Sequence, residues 1–154
     1  MARTLTPKKT FLPDPRYNSE EVTRLINYVM QDGKKEKAMR IVYESFAIIK
    51  EKSGKEPLEI FARAKDHVTP HVEVRSRRIG GANLPIPVEV RTPRKFQLFL
   101  TWILEAAKKR SERKMTERLA NELIAAANQE GQAFKRKENM DKSVHAQRAY
   151  AHLK

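Results

Sequence analysis

The chain has 154 residues, 40% of them hydrophobic, which suits a single domain with a modest core rather than two. Its 32 Lys and Arg against 19 Asp and Glu leave a net charge of +13, so the natural partner is a polyanion. The absence of cysteine excludes disulfides, thiolate chemistry and cysteine-ligated zinc, iron–sulfur or haem centres, and neither residues 1–15 nor the short apolar patch Leu98–Leu104 has the make-up of a secretion signal or a membrane span.

Residues 1–17, with Pro7, Pro13 and Pro15 among Arg3, Lys8, Lys9 and Arg16, form a poor helix and a poor strand and read as an extended basic arm. Residues 18–154 read as one helical domain. Asn18 and Glu21 have the spacing of a capping box, and Val22, Leu25, Ile26, Val29 and Met30 then recur at helical intervals, predicting a first helix that stops near Gly33. A second helix is expected from about Lys34 to Lys52, with Ala38, Ile41, Val42, Phe46 and Ile49 on one face and Gly54 beyond its end. Pro57 fits the first turn of a third helix carrying Leu58, Phe61, Ala62 and Val68, which Pro70 ends.

Between His71 and Arg91 the period becomes two. Val72 and Val74 alternate with Glu73 and Arg75, and Ile86, Val88 and Val90 alternate with Pro87, Glu89 and Arg91. Gly80-Gly81-Ala82-Asn83 between them predicts a β-hairpin, with Pro85 and Pro87 expected to weaken its second strand. An isolated two-stranded ribbon is marginal, so its tip is expected to be mobile until bound. Thr92-Pro93 reads as cap and first turn of a fourth helix, whose Phe96, Leu98, Phe99, Leu100, Trp102, Ile103 and Leu104 should form the buried centre of the fold. A basic break, Lys108–Lys114, precedes a fifth helix with Leu119, Ala120, Leu123, Ile124 and Ala127 on one face and Gly131 as its C-terminal cap. The last segment, Phe134–Leu153, has only Met140, Val144 and Ala151 at helical spacing, and is expected to be exposed or docked on a partner.

The positive charge falls into six runs, nearly all at breaks between elements: Arg3, Lys8 and Lys9 in the arm; Lys34, Lys35 and Lys37, followed by Arg40; Arg75, Arg77 and Arg78 in the hairpin; Arg91, Arg94 and Lys95; Lys108, Lys109, Arg110, Arg113 and Lys114; and Lys135, Arg136 and Lys137. One such run is commonly a solvated face. Several placed at helix ends can converge on one side of a bundle, where Lys supplies point charge and Arg a planar fork for phosphate oxygens. Arginines beside a glycine turn can also enter a nucleic-acid groove, although the same residues suit a plain surface ribbon. Trp102, Phe96 and Phe99 belong to the core rather than to base stacking, for which Tyr17 and Tyr150 are better placed.

No catalytic pattern is found. Gly33-Lys34-Lys35 fails as a phosphate-binding loop, since Tyr28 stands where its first glycine should be and Lys35 where a Ser or Thr should hold magnesium. His67 and His71 are separated by the helix-breaking Pro70, so no metal site and no cofactor are expected. An architectural DNA-binding protein, with basic helices and a hairpin clasping a minor groove, is the alternative to an RNA binder.

Taken in order, Leu12-Pro13-Asp14-Pro15, Asp32-Gly33-Lys34-Lys35, Val72-Glu73-Val74-Arg75-Ser76-Arg77-Arg78-Ile79-Gly80-Gly81 and Pro87-Val88-Glu89-Val90-Arg91 resemble segments of the bacterial type of the small-subunit ribosomal protein seven family. So do Trp102-Ile103, Glu105-Ala106-Ala107-Lys108-Lys109-Arg110-Ser111, Met115, Arg118-Leu119-Ala120-Asn121-Glu122-Leu123 and Ala149-Tyr150-Ala151-His152. The stretch Met140–Arg148 departs from the usual family run, and Leu84 stands where many relatives are more polar or aromatic. The resemblance implies a mainly α fold of six helices with a protruding β-hairpin. It also implies direct binding to small-subunit rRNA, nucleation of the head or 3′ domain, contact with neighbouring small-subunit proteins of the head and platform, and a position near the exit-site tRNA. Carried onto matching positions, the rRNA contacts fall on Lys34, Lys35, Arg75, Arg77, Arg78, Lys108, Lys109, Arg110 and Met115, and the rest of the basic runs are expected to join them by their charge. The tRNA-proximal ones fall on Arg77, Arg78, Gly80 and Gly81 at the hairpin tip and on Arg148 and Tyr150 in the closing segment.

Overall fold

The computed structural model describes residues 9–153; of the expected arm, Arg3 and Lys8 lie outside them. The elements run α1 (Glu20–Val29), α2 (Lys35–Ser53), α3 (Pro57–Val68), β1 (Val72–Ile79), β2 (Ala82–Glu89), α4 (Thr92–Lys108), α5 (Met115–Ala127) and α6 (Gly131–Ala146), followed by a 3₁₀ turn at Arg148–Leu153. The described residues thus form the expected mainly helical fold with one hairpin. Among them no helix is long and apolar enough to cross a membrane.

Local chemistry explains most boundaries. Gly54, at φ +69°, ends α2 in the left-handed conformation that glycine adopts without strain, and its N–H bonds the Lys50 carbonyl. Pro57 opens α3, where a missing N–H is harmless. The α1 cap differs by one residue from expectation: Ser19 caps, its Oγ accepting the Val22 N–H, while Asn18 sits at φ +48° with its own N–H on the Asp14 carbonyl. Glu21 is therefore no capping-box partner and instead pairs with Lys65 of α3 at 2.6 Å. At α4 the cap is Arg91, and Thr92 is already helical. On α3 the buried stripe is Pro57, Ile60, Phe61, Ala64 and Val68, so Ala62 faces solvent.

Helix α4 is the centre of the fold, with nine buried residues including Phe99, Leu100, Trp102 and Ile103, and it packs against α1, α3, α5 and α6. Burying each large side chain contributes roughly 1.5–3 kcal/mol. A string of ring contacts joins the layers: Tyr17 to Phe46 of α2 at 5.1 Å, Phe46 to Phe61 of α3 at 6.2 Å, and Phe61 to Phe99 of α4 at 5.3 Å. Tyr17 is thereby a packing residue rather than a stacking platform. The segment before α1 is tied down in the same region. The buried Asp14 carboxylate accepts the Arg16 and Tyr17 N–H groups and, at 2.5 Å, the Tyr43 hydroxyl of α2. Burial, and then this hydrogen bond, push the Tyr43 phenol up to about 12.

The hairpin departs from its alternating pattern. In β1 the buried residue is Glu73, with Val72 and Val74 half-exposed, because Glu73 is held by Arg75 at 2.7 Å and by Arg94 of α4 at 3.7 Å. The connection is the two-residue turn Gly80-Gly81, both at positive φ as a tight hairpin turn demands; Ala82 and Asn83 already belong to β2. Pro85 and Pro87 do not weaken the ladder. The Val90 N–H donates to the His71 carbonyl across the sheet, so even-numbered residues of β2 point their N–H groups at β1 and the prolines fall on the outward phase. Gly131 likewise does not cap α5, which ends at Asn128; it opens α6 at φ +87°. Its missing side chain leaves room for Glu122, since a Cβ there would stand 2.8 Å from Glu122 Oε1. In α6 only Ala133 is buried, as expected for a helix on the outside of the fold.

Candidate nucleic-acid interface

Two basic loops distant in sequence meet across one groove. The α1–α2 loop turns through Asp32 at φ +55° and Gly33 at φ +71°, closed by the Lys34 N–H on the Gln31 carbonyl. It delivers Lys34, Lys35 and Lys37, all exposed, to the start of α2. The α4–α5 loop delivers Lys108, Lys109, Arg113 and Lys114, also exposed. None of these seven forms an ion pair with another described residue. The groove encloses about 360 Å³. Lys34, Lys37 and Lys108 stand on its rim, Val29, Ala38, Ile41, Leu104 and Met115 supply apolar lining, and Tyr28, Gln31 and Asp32 complete it. A partner with a phosphate backbone and flat apolar bases matches both parts of that surface.

The α4–α5 loop is stiffened by a side-chain network. Arg110 Nε and Nη2 donate to Glu112 at 3.0–3.2 Å, and Nη1 donates to Glu122 Oε2 at 2.9 Å. Glu122 is fully buried, and its other oxygen accepts the Ala133 N–H at the start of α6 at 3.1 Å. Asn121 donates to Glu112 at 3.0 Å and accepts from Lys52 of α2 at 2.8 Å, while Arg118 bonds the Glu112 carbonyl. The Arg110 hydrogen bonds, with help from a backbone N–H and Asn121, hold the Glu112 carboxyl at about 2, well below the usual carboxylate range.

The hairpin carries its arginines on both faces. Side chains two apart share a face, so Arg75 and Arg77 lie with their cross-strand partners Ile86 and Leu84, and Arg78 lies on the other face with Asn83. The base is braced, β1 against α6 and β2 against the 3₁₀ turn, while Arg75 through Arg78 and Gly80 through Asn83 are exposed. Arg75 and Arg94 meet at Glu73. Arg91 is exposed and Lys95 half-buried beside them. This group stands at the start of α4 and Lys108 at its end, about 25 Å away for a 17-residue helix at 1.5 Å per residue. Four of the six runs therefore form two separated cationic centres rather than one dense patch.

The remaining candidates scatter. Lys9 is exposed. Of Lys135, Arg136 and Lys137, only Lys135 lacks an acidic partner among the described residues: Arg136 pairs with Glu105 and lies over Trp102, and Lys137 pairs with Asp141 at 2.7 Å. Arg148 lines a second groove, of about 450 Å³, at the hairpin base with Val72, Pro87, Glu89 and Val144; Tyr150 is half-buried in the 3₁₀ turn. His67 Nδ1 is 3.2 Å from the Ala126 carbonyl, and among the described residues no three His, Asp or Glu side chains converge as metal ligands. The sequence patterns missed Tyr28 and Gln31, whose place depends on how α1, α2 and α4 cross. They also missed Glu122, whose signal is an acid on the apolar stripe between Leu119 and Leu123.

The family described as ribosomal protein S7p/S5e matches residues 1–148. The chain belongs to that family. Three relatives named small ribosomal subunit protein uS7 align almost end to end. The Clostridium novyi (strain NT) protein is 50% identical over 149 residues, covering 97% of this chain and 96% of its own. The Helicobacter hepaticus (strain ATCC 51449 / 3B1) protein is 49% identical over 154 residues, covering 100% and 99%. The Aromatoleum aromaticum (strain DSM 19018 / LMG 30748 / EbN1) protein is 48% identical over 152 residues, covering 99% and 97%. The chain is thus a bacterial-type S7 family member, a structural ribosomal protein and not an enzyme.

Proposed function

We propose that the chain is a constituent of the small ribosomal subunit in the bacterial cytoplasm that binds small-subunit rRNA directly, nucleates packing of the head or 3′ domain, and stands near the exit-site tRNA. The observation that carries the RNA contact is the meeting of Lys34 and Lys37 with Lys108 around one apolar-floored groove. The loop cations screen phosphate repulsion where RNA strands approach, and the groove suits an unstacked base. Arg75, Arg77 and Arg78, with Arg91, Arg94 and Lys95 behind them, form the second contact. Cations on both faces of the hairpin suit a finger placed between two backbones, with Gly80 and Gly81 at its tip next to tRNA. Arg148, at the hairpin base, and Tyr150 of the closing turn contribute a separate tRNA-proximal contact on that side of the fold. Lys9 and Lys135 add outlying charge.

The test is retention on a folded 3′-domain rRNA fragment during a salt titration. Seven loop cations on phosphates contribute about −5 to −6 to the slope of log K against log salt, and the hairpin contact steepens it further. Arg77→Glu with Arg78→Glu should preserve helix content and lower retention sharply. Equal retention of the wild type on duplex DNA would instead favour a DNA-binding architectural role.

A further inference from the structure

The most basic loop of the chain holds two carboxylates at its heart. Lys108, Lys109, Arg113 and Lys114 are exposed, yet Arg110 between them has all three guanidinium nitrogens on Glu112 and Glu122 at 2.9–3.2 Å. Its side chain is 29% exposed. A guanidinium so engaged has three of its five N–H donors taken by carboxylates, and with those two carboxylates it sums to −1, which repels RNA. Glu122, fully buried, is fixed through the Ala133 N–H to α6, and Glu112 through Asn121 to Lys52 of α2. Arg110 is thus the knot where the loop is tied to α2, α5 and α6.

We propose that Arg110 is a positioning residue, which contacts no RNA and holds the α4–α5 loop in the one conformation that presents Lys108, Lys109, Arg113 and Lys114 together. This rests on the proposed RNA contact. It replaces the expectation that Arg110 itself grips rRNA.

Two variants separate positioning from direct contact. Arg110→Lys keeps the charge and loses the fork; Glu112→Gln removes an acid beside the RNA. Each is checked for its helix content and melting, then measured on the folded 3′-domain rRNA fragment, with amide hydrogen exchange of residues 108–114 followed in the RNA-free protein. Positioning predicts faster exchange in both variants, affinity lower by about tenfold, and a salt slope shallower by roughly one phosphate contact. Tighter binding by Glu112→Gln, or an unchanged slope and affinity in Arg110→Lys, overturns the proposal, as does unchanged exchange. If the wild type fails to bind the RNA, the RNA contact itself falls, and exchange alone decides whether Arg110 orders the loop.

Discussion

The loop between α1 and α2 and the loop between α4 and α5 face each other across the groove and carry charge of one sign, yet they are held by different means. The first is short and closed by backbone: Asp32 and Gly33 at positive φ, and the Lys34 N–H on Gln31. The second, nearly the same length, is closed by side chains, through Arg110, Glu112, Glu122, Asn121 and Arg118. A tight turn fixes its lysines by geometry alone. The second loop has no residue at positive φ to close it by backbone, and ion pairs anchored in the core take up the task of ordering it. On the proposed RNA-binding surface, acidic residues therefore serve to place cations.

Removing the buried anchor should break the second loop and spare the first. Glu122→Ala leaves Arg110 short of a partner and the α6 N-terminus short of an acceptor, and should lower the urea-unfolding free energy by about 3 kcal/mol. Lys34→Ala, on an exposed residue, should change it by less than about 0.5 kcal/mol. The first loop should yield instead to a backbone change. Nothing lies within 4 Å of a Cβ built on Gly33, so Gly33→Ala meets only the strain of its φ of +71°, roughly 1–2 kcal/mol. Its thermal midpoint should fall accordingly, with amide exchange at residues 108–114 unaltered.

Acid gives the gentlest separation. Glu112 is held at about 2 by Arg110, below its ordinary range near 4.3. A carboxyl depressed on folding adds stability that is fully present above its unfolded value and is lost as pH falls from there through 2. Wild-type stability should therefore drop between about pH 5 and pH 2 more steeply than that of Glu112→Gln, read by unfolding at each pH.

Much of the fold was legible because its stops are chemical. Gly54, Pro57, Pro70 and Pro93 punctuate the helices by what their backbones can adopt, and the apolar run of α4 announces a core helix. Where two residues could do the same job, as Asn18 and Ser19 at the α1 cap, the choice fell to a tertiary contact, the turn around Asp14. The hairpin face was misjudged for the same reason: Glu73 is buried against Arg75 of its own strand and against Arg94, which arrives from α4. Of the interface, the cations were visible in the sequence, but which runs come together was not. Helix crossing puts Lys34 beside Lys108, whereas the length of α4 keeps Arg91 apart from both.

The hairpin is held as far as the buried Ile86, by α6, the closing turn and Arg94 of α4. Beyond Ile86 about five residues of β2 at about 3.3 Å each make a lever of roughly 16 Å, so a tilt of about 10° swings the glycine tip through about 3 Å. Small repacking where α6 meets β1 is thereby amplified into a larger displacement at the far end.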